Sequence, residues 1–528
     1  MADKFINDLN GQVLKRYKDM GDGSFAEVVS VAGGGGTQAD WKATGTTAEI
    51  LNKPTIKSYL GQVATRCAMG SGINAAKQFF SVSSHVATDD LTAPQIVLQN
   101  WYGTGGLEST ASLSDTTYTA SIEYPLVAGG AAGTVTQVLF SGATSGVATV
   151  GSNLISDPVA LATKIPKGAR FRIRVWGNSS GSNTIICGGM TSSRQISGGP
   201  VDDIYRSGAT VADQTMSAFT SAMTYPLDYR GFKPVAIIQQ TCTRSVAIIG
   251  DSRGMGLNGM GDRVTDANGW IGQAERIIGQ TGCGFSNLAL ASDSAGNFTV
   301  ALAPRRTSLL QYFSDVYCEY GINDVAGGAS LATIMGRIKA IKALPNVVGK
   351  QVIGCTLAPQ VTVSGSNGTV AEDGSDQTVT GNEALRVSYN ETLRGGASPF
   401  DGVVEVADLV ESYRNSGKWK SGSATATDGV ATTNSYTINS AVFTTAHIGK
   451  CCVVDAAGWG TAKLIGIVQS VVAGTSATLN VPAGRNVASG GSVNVGDIYT
   501  IDGVHETMQA NLQIQNNVKV PYQFYSKF

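Results

Sequence analysis

The sequence lacks a charge imbalance. Its 528 residues include 38 Lys and Arg and 39 Asp and Glu residues, which gives a net charge of −1. A chain without a basic excess lacks the electrostatic attraction that nucleic-acid-binding proteins have for phosphate. No apolar run approaches the ~20 residues of a membrane-spanning helix, and the N-terminal stretch lacks the apolar core of a secretory signal. We therefore expect a soluble protein that is made in a cytoplasm, binds no nucleic acid and does not insert into membranes.

The cysteines and histidines lack the spacing of metal ligands. The eight cysteines form no CxxC pair, and Cys451 and Cys452 are adjacent, which is poor geometry for an ordinary disulfide. Cys318 and Cys355 fall in apolar, strand-like runs where a buried thiol is expected. With only three scattered histidines, a zinc site is disfavoured. We expect buried, reduced cysteines and neither a metal nor another cofactor.

What the chain has in abundance is glycine, at 66 residues, beside only 15% charged and 7% aromatic residues. This composition is typical of β-rich, turn-rich proteins, and the length predicts several domains. Across 58–236, short alternating runs separated by Gly, Ser, Thr and Asn predict a β-sandwich of the jelly-roll kind. One run predicts a half-buried strand with a basic outer face, since Phe171, Ile173 and Val175 alternate with Arg170, Arg172 and Arg174.

Two roles for this β-sandwich remain open. It is compatible with a structural spacer that separates other domains. It is equally compatible with a carbohydrate-binding module in which Trp101, Tyr102 or Trp176 stacks on sugar rings. The pattern does not separate the two roles.

After residue 236 the pattern changes to alternating strands and helices. Apolar strands such as SVAIIG and VYCEYG alternate with helical stripes such as LATIMGRIKAIKAL across 237–420. Repeated βα units of this kind predict a parallel sheet covered by helices on both faces. The Thr-, Ser- and Gly-rich segment 421–494 predicts a small β-domain inserted into a surface loop. The α/β pattern returns across 495–528 as a turn that enters a helix.

A serine follows the first strand of this parallel sheet, in Gly250-Asp251-Ser252. The carboxyl ends of such strands are where open α/β sheets bind ligands. The small glycine permits the tight turn that exposes a nucleophilic hydroxyl. The tripeptide by itself is more often a helix N-cap than a catalytic motif.

The histidines narrow the choice of a base for Ser252. His85 lies in the β-rich region and His447 in the inserted segment, whereas His505 lies where the α/β domain resumes. Asp502 stands three residues before His505, so its carboxylate can reach the imidazole and set its tautomer. We predict Ser252, His505 and Asp502 as nucleophile, base and orienting acid.

Acyl transfer also needs hydrogen-bond donors for the oxyanion that develops in the reaction. Gly321-Ile322-Asn323-Asp324 follows the strand VYCEYG, where the Asn323 amide can point at the site. The backbone N–H of Ser252 is a second candidate. The turn after FSNLAL supplies a third, at Ser292.

These motifs resemble, in order, the blocks of the SGNH (GDSL) hydrolase family: Gly250-Asp251-Ser252, Asn287-Leu288-Ala289, Gly321-Ile322-Asn323-Asp324 and Asp502-Gly503-Val504-His505. The resemblance covers about 240–420 and 495–528. It implies a flavodoxin-like α/β/α fold and ester hydrolysis through an acyl-enzyme. It also implies an oxyanion hole from Ser252, Asn323 and a block-two glycine, whose position Ser292 occupies here. Gly250, Asp251, Gly321 and Asp324 would support these groups.

The segment 1–57 resembles the N-terminal segments of bacteriophage tail proteins in the stretches MGDGSFAEVVSV and ILNKPT. Together the two resemblances imply a tail spike or fibre that removes O-acetyl groups from a bacterial surface polysaccharide during host adsorption. They further imply attachment to other tail proteins through the N-terminus and a homotrimer. Such a protein would be located in the virion, made in the host cytoplasm and active at the host cell surface.

Two alternatives remain. One is a polysaccharide-binding adhesin of the virion whose SGNH domain is weakly active or inactive, an idea that only Ser292 supports. The other is a free short-chain esterase or lipase. A lipase predicts an apolar, lid-like segment near the site, and the sequence shows none.

Overall fold

The computed structural model describes three strands before residue 58 and residues 58–126, 133–181, 184–188, 203–218, 231–257, 268–365, 368, 371–380, 382–458 and 463–520. The chain divides into two compact units, Met1–Lys57 and Ser58–Phe528. In the described ranges, none of the helices combines the length and the hydropathy needed to cross a membrane.

The first unit contains a small antiparallel sheet. Its strands pair in the order β1-β2-β3 and comprise Lys4–Asn7, Val13–Asp19 and Phe25–Val28. The third strand covers part of the stretch that resembles phage tail proteins, whereas ILNKPT lies outside the described residues.

The second unit begins with two antiparallel sheets and short accessory strands. Its strands β4 to β18 are Tyr59–Gln62, Cys67–Ala68, Gly72–Asn74, Gln78–Val86, Gln95–Gln99, Tyr102–Thr104, Leu107–Ser109, Thr116–Glu123, Val135–Gln137, Gly146–Ala148, Asn153–Ile155, Arg170–Ser179, Ile185–Cys187, Ile204–Gly208 and Ala236–Thr241. One sheet has the order β12-β11-β15-β7-β17, with β13 also paired to β11, and the other has the order β14-β8-β18-β4. Phe171 and Ile173 of the first sheet share an apolar core with Ile96 and Leu98 of the second. Because β18 runs to Thr241, the second sheet extends past residue 236.

The prediction of a basic outer face on β15 is wrong. Arg174 is 0% exposed, and its Nε donates to Oε2 of Glu123 at 3.1 Å. Arg172 is also buried, 3.6 Å from the other oxygen of Glu123. The chain around Thr215 and Ser217 covers this face and accepts hydrogen bonds from Arg174 through its carbonyls. The alternating pattern therefore identified the strand, but Glu123 of the neighbouring strand β11 and the loop around Thr215 bury the face that carries the arginines.

Two of the three aromatic side chains considered as sugar-stacking platforms are also buried. Trp101 is 0% exposed and donates from Nε1 to Oδ1 of Asn153 at 2.8 Å. Tyr102 belongs to the core between the two sheets. The prediction of a stacking role is therefore wrong for Trp101 and Tyr102, because a ring packed in a core cannot contact a ligand. Trp176 is half-buried and donates to the carbonyl of Val211.

A six-stranded parallel sheet follows. Its own strands are β19 to β22 and β25, which comprise Ser245–Ile249, Gly284–Asn287, Asp315–Cys318, Gln351–Cys355 and Gly402–Val404, while Val361–Val363 (β23) and Gln377–Val379 (β24) form a hairpin. The order β25-β22-β21-β19-β20 is 5-4-3-1-2 in chain order, which is the strand order of flavodoxin-like sheets. The sixth strand is β5, which pairs in parallel with β20.

Helices lie against both faces of this sheet. They are α1 to α7, comprising Gly272–Gly279, Pro304–Leu309, Ile322–Ala326, Leu331–Lys342, Glu383–Arg394, Ala407–Val410 and Met508–Asn517, with a 3-10 turn at Leu310–Tyr312. Val246 of β19 packs in a cluster with Ala274 of α1 and Ile514 of α7. The adjacent Ala247 packs in another cluster with Ile334 of α4. Since successive strand residues point to opposite faces, a strand covered on both sides is apolar throughout.

The segment predicted as an insertion forms a closed barrel, but its last strand runs to Ile498, so the predicted boundary at residue 494 is four residues too early. Its strands β26 to β31 are Ser421–Ala431, Thr437–Asn439, Cys451–Val454, Leu464–Val472, Ser476–Leu479 and Val487–Ile498, and a 3-10 turn lies at Thr445–His447. They close in the order β26-β27-β30-β29-β28-β31. The first and last strands pair, with Ser421 opposite Ile498. The chain therefore leaves the barrel next to where it entered, four residues before Asp502.

Candidate active site

Ser252 lies in the turn that follows β19. The turn is compact, because Met255 N–H donates to the carbonyl of Asp251 at 2.9 Å and Leu257 N–H donates to that of Ser252 at 2.8 Å. A Cβ atom on Gly250 would lie 2.8 Å from Oε2 of Glu319, so only glycine permits this approach. Ser252 itself retains 8% exposure. This turn, residues 250–257, is called the nucleophile turn after the role predicted for Ser252, and it leaves the serine in contact with solvent at the carboxyl end of the sheet.

The structure brings His505 and Asp502 to Ser252. His505 Nε2 lies 2.9 Å from Oγ of Ser252, and His505 Nδ1 lies 2.6 Å from Oδ2 of Asp502. The other carboxylate oxygen of Asp502 accepts the backbone N–H groups of Val504 and His505 at 2.9 and 2.8 Å. Burial opposes ionisation of Asp502, but its hydrogen bonds with His505 and Val504 outweigh burial and lower the pKa of the carboxyl. An ionised Asp502 is suited to orient an imidazole.

Gly503 allows the acid and the histidine to share one tight turn. Its φ is +83°, and a Cβ atom there would lie 2.0 Å from the carbonyl oxygen of Val361. The Gly503 carbonyl accepts hydrogen bonds from Trp419 Nε1 and from Val361 N–H, both at 3.0 Å. The turn is therefore held from two sides by contacts that a larger residue would prevent.

The other two histidines lie in different surroundings. His85 is buried in the sandwich, between the carbonyl of Thr65 and the hydroxyl of Ser83, and burial lowers its pKa to about 3. His447 lies in the barrel, where its Nδ1 accepts the N–H of Thr444 at 3.1 Å. Of the three histidines, His505 is the one that contacts Ser252.

Ser292, predicted to supply an oxyanion donor, has a left-handed backbone conformation. Its φ is +65°, in the left-handed region that glycine enters freely and that costs other residues about 1–3 kcal/mol. The turn runs beside the nucleophile turn, because Leu290 N–H donates to the carbonyl of Gly250 at 3.0 Å. Ser292 is exposed at this edge. At this exposed turn a serine thus takes the left-handed conformation that glycine enters most easily.

Asn323 and Asp324 connect the end of β21 to the same turn. Asn323 Nδ2 donates to the carbonyl of Asp293 at 2.7 Å. Asp324 accepts the N–H of Ala295 at 3.0 Å and pairs with Arg337 at 2.6 Å. Gly321 precedes them with φ +148°, where a Cβ atom would lie 3.0 Å from Leu357. The structure thus brings the predicted oxyanion groups Ser292 and Asn323 together at the edge that carries Ser252.

A group of buried charges beneath Ser252 was not predicted. Glu319 Oε2 accepts the N–H groups of Asp251 and Gly254 at 3.3 and 3.0 Å. Arg253 donates to the carbonyls of Ala358 and Pro359 at 2.9 and 2.6 Å. The available signals were a glutamate inside the apolar run VYCEYG and a basic residue directly after the nucleophile. Polar residues in such positions need buried partners.

Asp251 and Glu319 form a carboxyl pair below the nucleophile turn. Burial raises the pKa of Asp251 to about 6, although its hydrogen bonds and the nearby Arg253 partly oppose this shift. Burial, together with repulsion from Asp251 and Glu506, raises the pKa of Glu319. Burial also raises the pKa of Glu506, which follows His505 directly. Both carboxyls of the pair therefore hold a proton more readily than an isolated carboxyl does.

Within the described part of the chain, no group of three or more His, Cys, Asp and Glu side chains is arranged to hold a metal ion. Cys318 and Cys355 are buried, as expected from their apolar runs.

No protein-family model and no curated protein matches the chain. Solved structures similar to it include an acetyl xylan esterase from the rumen bacterium Butyrivibrio proteoclasticus, with 11% identity over 67% of this chain and 88% of that one, at a TM-score of 0.22. A salicylyl-acyltransferase from a tetracycline biosynthetic pathway has 10% identity over 65% of this chain and 76% of that one, at a TM-score of 0.20. A peptidoglycan O-acetylesterase has 10% identity over 66% of this chain and 65% of that one, at a TM-score of 0.22. At such scores, no conclusion about this chain follows from these likenesses.

The raised pKa of Asp251 predicts how stability changes with pH. The folded state binds the proton of the Asp251 carboxyl more tightly than the unfolded chain does. The stabilisation that this proton gives the folded state is complete below the unfolded pKa of 3.8 and is lost as pH rises through about 6. Asp251→Asn should therefore gain stability relative to wild type between about pH 4 and pH 7, by on the order of 3 kcal/mol. Urea unfolding at several pH values measures this difference.

Asp373→Asn is the control with the opposite sign. Hydrogen bonds with Ser375 lower the pKa of this exposed carboxyl. The free energy of unfolding of Asp373→Asn should therefore fall relative to that of wild type as pH rises. If the Asp251→Asn difference is constant with pH, or moves in the same direction as the control, Asp251 is not a carboxyl with a raised pKa.

Proposed function

We propose that the chain is a serine carboxylic ester hydrolase of the SGNH type, built on a flavodoxin-like α/β/α domain. The observation that carries the proposal is the continuous contact from Ser252 through His505 to Asp502, at 2.9 and 2.6 Å. A serine hydroxyl is a weak nucleophile unless an adjacent base takes its proton, and the base in turn needs an orienting group. These three side chains have that arrangement.

The reaction we propose has two steps. His505 Nε2 takes the Ser252 proton while Oγ forms a bond to the ester carbonyl carbon, and Asp502 stabilises the imidazolium. The C–O bond to the alcohol then breaks, His505 gives its proton to the departing alcohol, and an acyl-enzyme remains. Water, deprotonated by His505, attacks the acyl-enzyme, which releases the acid and returns the proton to Ser252.

The oxyanion of each step would accept hydrogen bonds from three donors. These are the backbone N–H groups of Ser252 and Ser292 and the side-chain amide of Asn323. That amide carries two N–H bonds, and its contact with the carbonyl of Asp293 uses one of them. Gly250 and Gly321 permit the turns that begin at these glycines. Asp251 accepts the N–H of Arg253 within the Ser252 turn, and Asp324 accepts the N–H of Ala295 beside Ser292.

We further propose that the substrate is an O-acetylated carbohydrate. A cavity of about 200 Å³ lies beside α3, the helix that carries Asn323, and its polar lining consists of Gln360, Thr380, Asn382, Glu383 and Arg386. The chain on either side of Gln360 contacts the site, through Pro359 to Arg253 and through Val361 to Gly503. A small cavity with amide, hydroxyl and charged groups suits a sugar and a short acyl group better than a lipid chain.

The role in a phage tail remains part of the proposal. The N-terminal stretches that resemble tail proteins support a virion spike or fibre that is attached through this segment and acts on a bacterial surface polysaccharide. Made in the host cytoplasm, it would act at the host cell surface.

Ser252→Ala should abolish hydrolysis of p-nitrophenyl acetate, because it removes the nucleophile. We expect a fall in kcat of about 1000-fold or more, and a similar fall for His505→Ala. His447→Ala is the matched control and should retain wild-type turnover. Wild-type turnover in the Ser252→Ala variant would refute the proposed nucleophile.

Acetate release from O-acetylated bacterial surface polysaccharides tests the substrate class. Wild type should release acetate and Ser252→Ala should not, and on p-nitrophenyl esters the rate should fall sharply beyond short acyl groups. Preference for long acyl chains would favour a lipase. Binding of polysaccharide without acetate release would favour an inactive adhesin.

Light scattering of the full chain tests the assembly that we propose for a tail protein. A mass of three chains at micromolar concentration is expected. A monomeric mass over the same range would contradict a trimeric spike or fibre.

A further inference from the structure

A hairpin of the β-sandwich packs against the turn that carries Ser292. Its strands β9 and β10 pair from Tyr102 to Ser109 and are joined at Gly105 and Gly106. A Cβ atom on Gly106, whose φ is +79°, would lie 2.6 Å from the carbonyl oxygen of Ser292. The Gly106 carbonyl also accepts a hydrogen bond from Asn297 Nδ2 at 3.4 Å. The hairpin backbone is therefore in direct contact with the Ser292 turn.

The first strand of the hairpin, β9, also contacts the segment that precedes Ser292. A Cβ atom on Gly103 would lie 2.5 Å from Cδ1 of Leu290. Leu290 is the residue whose N–H binds the carbonyl of Gly250, next to the nucleophile turn. At both glycines the absence of a side chain permits close approach, of Gly103 to Leu290 and of Gly106 to Ser292, and a side chain at either position would press on the Ser292 turn.

A chain of buried ion pairs connects the hairpin to the same turn. The side chain of Glu108 in β10 is 1% exposed, and its carboxylate lies 3.6 Å from Nε of Arg306. It also accepts the backbone N–H groups of Arg306 and Arg305 at 2.7 and 3.1 Å. The Arg306 guanidinium, at 0% exposure, donates to Oδ2 of Asp293 at 2.6 Å. Charges buried to this degree hold a fixed geometry only when each is paired.

Asp293 connects these ion pairs to the proposed oxyanion donors. It directly follows Ser292, and its backbone carbonyl accepts the hydrogen bond from Asn323 Nδ2 at 2.7 Å. Its carboxylate accepts from the hydroxyl of Tyr320 as well as from Arg306. A shift of Asp293 would therefore move both the Ser292 N–H and the Asn323 amide.

We propose that Gly106 and Glu108 of the β-sandwich are positioning residues for the oxyanion hole of the hydrolase domain. Glu108 acts through Arg306 and Asp293, and Gly106 acts by contact with Ser292. The sandwich is then part of the catalytic unit, a role different from a spacer or a sugar-binding module. This inference rests on the proposed esterase function.

The first test compares two neighbouring glycines of the hairpin. Both have positive φ, +79° at Gly106 and +55° at Gly105, but a Cβ atom on Gly105 meets nothing within 4 Å. Gly106→Ala should lower kcat for p-nitrophenyl acetate by about 10- to 100-fold with KM nearly unchanged, because small displacements of catalytic groups cost this much. Gly105→Ala should retain wild-type kcat. Equal kcat values for the two variants would overturn the role of Gly106.

The second test removes Glu108 and uses Asp315 as its match. Glu108 is buried and pairs with Arg305, which is 30% exposed, whereas Asp315 is buried and pairs with Arg244, which is 32% exposed. Asp315 begins β21, at the end of the sheet opposite to Asn323. Glu108→Ala should lower kcat by about 10-fold or more, and Asp315→Ala should not. Equal losses of kcat in both variants would indicate general destabilisation and overturn the proposal.

Amide hydrogen exchange separates this inference from the esterase proposal. Faster exchange across residues 288–297 in Gly106→Ala and Glu108→Ala, but not in Gly105→Ala and Asp315→Ala, would support positioning even if wild type hydrolysed no ester. Unchanged exchange in that segment would overturn it. Absence of Ser252-dependent hydrolysis together with the expected exchange pattern would refute only the proposed function.

Discussion

The hydrogen bond between His505 and Ser252 joins two positions 253 residues apart in the chain, and much of the fold serves to make it possible. The barrel inserted before His505 closes on itself, so that Ser421 and Ile498 face each other and the chain re-enters the α/β domain where it left. Trp419, just before the barrel, donates to the carbonyl of Gly503, just after it. Because loop closure costs little more for long insertions than for short ones, a self-contained barrel can be accommodated here without displacing the histidine.

The site also contains a strained backbone conformation and buried charges, both of which oppose folding. Ser292 has a positive φ that glycine would adopt at lower cost, and Asp251, Glu319 and Arg253 are buried together below the nucleophile turn. Each of these features is held by its surroundings, since Glu319 binds the turn's N–H groups and Arg253 binds two carbonyls. Strain and buried charge of this kind persist where the surrounding structure determines the geometry, as at catalytic sites.

The sandwich and the parallel sheet are joined more closely than two domains connected by a linker. Strand β5 pairs in parallel with β20 and extends the sheet, and Trp101 belongs to the same apolar cluster as Leu288 and Leu290 of the α/β domain. The aromatic residue that a carbohydrate-binding module would expose is thus used for packing between the two parts. This arrangement explains why a hairpin of the sandwich can reach the turn of Ser292.

The sequence by itself determined the α/β elements and the order of the site residues, because buried parallel strands and amphipathic helices leave strong periodic patterns and because only His505 has an acid three residues earlier. It could not reveal the partners of buried groups. Arg174 has the pattern of an exposed residue until Glu123 and a covering loop are seen, and β5 is too short, at two residues, to leave a pattern. Contacts such as those of Glu319 with the nucleophile turn and of Gly106 with Ser292 join distant segments. Only the tertiary structure decides them, because they depend on how whole elements pack and not on local preference.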